Sequence, residues 1–122
     1  MAQDDADHAV ILSACRTPIG SFGGVFQDVG AVDLASAAIA EAITRAGIDP
    51  AALDDVIMGC VLQGGAGMNV ARQAALRAGV PVEVPAETVN RVADRGCKPW
   101  SMRPTAFAPA QWTWPWLGVP SR

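Results

Sequence analysis

The sequence predicts an α/β fold in which parallel strands alternate with helices. Two observations carry this. Two short apolar runs, residues 9–15 (AVILSAC) and 56–62 (VIMGCVL), show no helical period, and residues 88–92 (TVNRV) are rich in β-branched side chains. Between them lie stretches whose apolar residues recur at helical spacing and which stop at glycine. Strands joined through helices imply right-handed crossovers, and hence a parallel sheet.

The first run, AVILSAC, reads as a buried strand, because it is apolar on both faces and is closed by Arg16, Thr17, Pro18 and a glycine-rich loop through Gly24. The first helix comes next. Leu34, Ala38, Ile39, Ala42 and Ile43 share one face, Glu41, Thr44 and Arg45 lie opposite, and Gly47 stands where a left-handed cap belongs. Asp49 and Pro50 suit the cap and first position of one further turn. Residues 56–62, bounded by Asp54-Asp55 and Gly64-Gly65, suit a strand covered on both faces. Asn69 caps a helix over 70–77 that ends at Gly79, before Pro81. The β-branched residues of 88–92 make a third strand. Ligands of such sheets bind at the carboxyl ends of strands, so the residues just after Val92 matter most.

Composition narrows the function. The 122 residues suffice for one small domain, and a formal net charge of -3 with 17% charged residues gives no basic surface for nucleic acid. No stretch approaches the roughly 20 apolar residues that span a bilayer, and the opening MAQDDADH is acidic where a secretory signal is basic, so a cytoplasmic location is expected. Cys15, Cys60 and Cys97 lack any paired spacing, which supports neither a disulfide framework nor a zinc site. Cys15 and Cys60 read as small buried side chains. The SFGG and QGGAG loops match neither phosphate-binding fingerprint and read as turns.

Three stretches in order, residues 14–24 (ACRTPIGSFGG), 55–79 (DVIMGCVLQGGAGMNVARQAALRAG) and 84–92 (VPAETVNRV), resemble the amino-terminal portion of the thiolases, in particular the acetyl-CoA C-acetyltransferases. Cys60 and Met68 occupy places where that family usually has Asn and Gln. The resemblance implies a partial thiolase fold over residues 1–92 and a reaction in which two acetyl-CoA condense to acetoacetyl-CoA, or the reverse, through an acyl-cysteine. It further implies coenzyme A thioester as substrate, no metal or other bound cofactor, and a homo-oligomeric intact enzyme, with self-association of the partial chain. In the family, TVN-x-V runs into Cys-Gly-Ser-Gly-Leu, whose Cys is the nucleophile; here Ala93 stands in that place. The partnering His and second Cys of thiolases come from the carboxyl-terminal half, so His8 inherits no role, and Cys97, beside Gly96, Lys98 and Pro99 with no helix to follow, lacks the organised electropositive site that activates a thiolate. No catalytic residue is therefore expected in this chain.

Residues 93–122 differ in kind from those before them. All four Trp and five of the nine Pro lie beyond Val92, and the segment has no period. Residues 93–100 can be encoded GCG GAT CGG GGT TGC AAG CCG TGG, which, with one T placed in front, regroups to Cys-Gly-Ser-Gly-Leu-Gln-Ala-Val. Residues 111–118 (QWTWPWLG), regrouped likewise, give Met-Asp-Val-Ala-Val-Ala-Gly, similar to the family's next buried strand. An irregular tail, out of frame through loss of one base near codon 93, is the expectation. A small stand-alone α/β binding module with the Trp-rich tail folded on its sheet is the alternative from another class. A ketoacyl synthase relative is a weaker third, lacking the RTP-x-G-x-F-G-G and N-x-AR-QAAL patterns.

Overall fold

A computed structural model describes residues 10–90. Its elements are helix α1 (Ala31–Ala46), a single 3-10 turn (Pro50–Ala52), strand β1 (Val56–Gly59), helix α2 (Val70–Arg77) and strand β2 (Ala86–Val89). β1 and β2 pair in parallel, with Val56 opposite Ala86 and Gly59 opposite Val89. The ladder reaches past both ends of the pair: the Val56 amide donates to the Pro85 carbonyl and the Cys60 amide to the Val89 carbonyl, each at 3.0 Å. A parallel pair needs a crossover, and α2 supplies it.

Local signals place the helices. α1 ends where Gly47 turns left-handed at φ 66°, and the Gly47 amide donates to the carbonyls of Ile43 and Thr44. Only glycine takes that conformation without strain. The Asp49 side chain accepts from the Ala51 amide to open the 3-10 turn, and the Asn69 side chain accepts from the Arg72 amide to open α2. These three expectations from sequence match the structure residue for residue.

The core gathers one face of each helix against the sheet. Val32, Ala35, Ile39 and Ile43 of α1 meet Val70, Ala71, Ala74 and Ala75 of α2, with Val56 and Met58 of β1 beneath and Leu53, Cys60, Val80 and Val84 around them. Ala35, Val70, Ala71, Ala74 and Ala75 have no exposed surface at all. Alanine has no side-chain rotamers to freeze and lets backbones approach closely, so this core is thin but tightly filled. β1 is buried along its whole length, as its continuous apolar run requires.

Three expectations need correction. The apolar run at 9–15 forms no strand among the described residues: residues 10–20 carry no regular structure, and Val10, Ile11 and Leu12 are exposed. The α/β class with parallel strands stands, with two strands described rather than three. Periodicity reports only how one segment alternates, whereas a strand exists only in its pairing, and β1 is paired to β2. Second, the run at 56–62 is a strand only as far as Gly59, and β2 begins two residues before Thr88. In the latter case the parallel register extends the ladder back across Ala86 and Glu87. Third, the buried face of α1 includes Val32 and Ala35, while Leu34 and Ala42 are only partly buried.

An alanine-filled core leaves no room for a larger side chain. Ala74→Leu is expected to destabilise the chain by about 1–3 kcal/mol through overpacking, read as a lower midpoint in urea denaturation.

Candidate functional site

The carboxyl ends of β1 and β2 form one edge of the sheet, where β2 ends at Val89 and Asn90 is the last described residue. Ala93, Cys97 and His8 lie outside the described residues, as does the whole of 93–122. The described residues supply the frame that fixes where β2 points.

That frame is a set of polar side chains in the stretch NVARQ and its neighbours. Asn69 adopts a left-handed backbone at φ 39°, a conformation asparagine tolerates better than most residues. Its Oδ1 accepts from the Arg72 amide at 3.2 Å, while its Nδ2 donates to the Ala86 carbonyl of β2 at 2.9 Å. Thr88 closes the circuit. Its Oγ1 donates to Asn69 Oδ1 at 2.9 Å and accepts from the Ala71 amide at 3.0 Å. A strand hydroxyl thus satisfies one of the helix's orphan amino-terminal donors, a job normally done by a cap within the helix's own chain segment.

Two further side chains of the same helix hold the flanking loops. The Arg72 guanidinium donates to the carbonyls of Val82 and Val84, at 2.7 and 2.6 Å, and so fixes the turn leading into β2. Gln73 Nε2 donates to the carbonyls of Ala66 and Met68, both at 2.8 Å, and closes the QGGAG loop. Gly67 is required there: its φ is 79°, and a Cβ would come within 2.9 Å of Gln73 Nε2. The SFGG loop closes through a Gly24 amide to Ser21 carbonyl bond. Both glycine loops are therefore turns, as their sequences suggest.

The two described cysteines hold structural places. Cys60 is buried just past β1, with its thiol toward the Leu62 carbonyl. Cys15 is partly buried and donates to the Ala38 carbonyl at 3.1 Å; burial pushes its thiol pKa up, Arg45 opposes this and Glu41 adds to it. A protonated thiol hydrogen-bonded to a helix carbonyl is not an activated nucleophile. Among the described residues, no group of three or more His, Cys, Asp or Glu side chains could hold a metal ion.

Thr88, Arg72 and Gln73 carry no role that the sequence reveals, although the last two stand in the N-x-AR-QAAL pattern. One signal was there: three polar residues packed at the start of an otherwise apolar helix, with a Thr in the next strand. Removing the Thr88 hydroxyl orphans the Ala71 amide, so Thr88→Val is expected to cost about 1–2 kcal/mol in chemical denaturation, and Thr88→Ser to keep most of the stability.

Comparison with known proteins bears directly on this arrangement. The family described as "Thiolase, N-terminal domain" matches residues 9–101, beyond Val92 as well as before it. An acetyl-CoA acetyltransferase of Syntrophomonas wolfei subsp. wolfei is 50% identical over 93 residues, covering 76% of this chain and 24% of the relative. One from Clostridioides difficile is 50% identical over 100 residues, covering 82% of this chain and 94% of the relative. The crystal structure of the Bacillus anthracis acetyl-CoA acetyltransferase superposes with a TM-score of 0.71 at 41% identity, covering 78% of this chain and 24% of that one. The chain thus spans about a quarter of the Syntrophomonas and Bacillus proteins. With three quarters of its residues inside the match, and β2 running in the same fold to the sheet's carboxyl edge, the chain belongs to the thiolase family through its N-terminal domain.

Proposed function

We propose that this chain is the amino-terminal part of a thiolase-type acetyl-CoA acetyltransferase, that Ala93 stands at the nucleophile position, and that the chain as it stands does not turn over. The observation that supports this reading is the pairing of β2 with β1: in parallel register it brings Val89 to the carboxyl edge of the sheet, four residues before position 93 in the sequence. Ligands of parallel sheets bind at that edge.

In the intact enzyme the substrate is a coenzyme A thioester. A cysteine thiolate at this position attacks the thioester carbonyl, the carbon–sulfur bond to coenzyme A breaks, and the departing thiolate takes up the proton that the cysteine gave up. The acyl group then passes from the cysteine to the α-carbon of a second acetyl-CoA, which loses a proton, and the cysteine thiolate is released. The reverse reaction cleaves acetoacetyl-CoA with coenzyme A to two acetyl-CoA. A methyl group at residue 93 has no lone pair to open either direction. What this chain's own residues contribute is position: Thr88, Asn69 and Arg72 hold β2 and its entry turn so that the strand's exit is fixed.

The domain boundary belongs to the same reading. We place the end of the thiolase part at Val92, inside a family match that runs to residue 101, and read 93–122 as an irregular tail out of frame after loss of one base near codon 93; the Trp and Pro that crowd beyond Val92 support this. Self-association of the chain fits the exposed apolar side chains of Val10, Ile11, Phe22 and Val25. A cytoplasmic setting fits cysteines without paired spacing. Among the described residues, no helix is long and apolar enough to cross a membrane.

The purified chain is expected to give no coenzyme A-dependent cleavage of acetoacetyl-CoA above background. Turnover that Cys97→Ala abolishes would overturn this, by making Cys97 a working nucleophile. Inserting one base before codon 93 is expected to open a longer frame beginning Cys-Gly-Ser-Gly, and an early stop codon there would count against the lost base.

A further inference from the structure

We draw no further inference here: the strongest candidate, the side-chain cluster of Asn69 and Thr88 that joins the first turn of α2 to β2, belongs to the site already described.

Discussion

The hydrogen bonds that Thr88 shares with Asn69 and Ala71 hold the rest of the described structure in register. A short helix of eight residues has too few internal bonds to hold itself in water. Its first turn must be satisfied from outside, and the outside partner here is the strand that the helix connects. Helix cap and strand position are therefore one object. With Asn69 also bonded to the Ala86 carbonyl, α2 cannot slide along β2 without breaking its own cap.

That latch brings the packing surfaces together. α2 presents Ala71, Ala74 and Ala75 with no exposed surface, and α1 answers with Ala35 and the larger Val32, Ile39 and Ile43. Mostly small residues on α2 and mostly branched ones on α1 let the two helices pack closely, with α2 against both strands. The surface pair of Arg77 with Asp33, both half exposed, joins the two helices but adds little energy beside this core. Polar groups decide the geometry, and apolar area supplies the stability.

The same division accounts for the family's polar pattern. In N-x-AR-Q, the asparagine caps and ties down the strand, the arginine clamps the turn before it, and the glutamine closes the glycine loop. None of these side chains needs to touch a reacting group for the sheet's carboxyl edge to be placed.

The helices, their caps, the α/β class and the family were legible from the amino-acid order alone, because each rests on signals within a few residues: Gly47 and Asn69 at helix ends, Asp49-Pro50 at a turn, apolar runs bounded by Asp and Gly. Which apolar run became a strand was settled by three-dimensional pairing. Residues 10–15 and 56–59 look alike in sequence, but β1 lies where β2 can pair with it, and residues 10–17 meet the helix α1 instead. The roles of Thr88 and Arg72 likewise emerge only in the folded chain, because their partners lie 10 to 19 residues away, and hydrogen-bond partners at that distance leave no periodic trace.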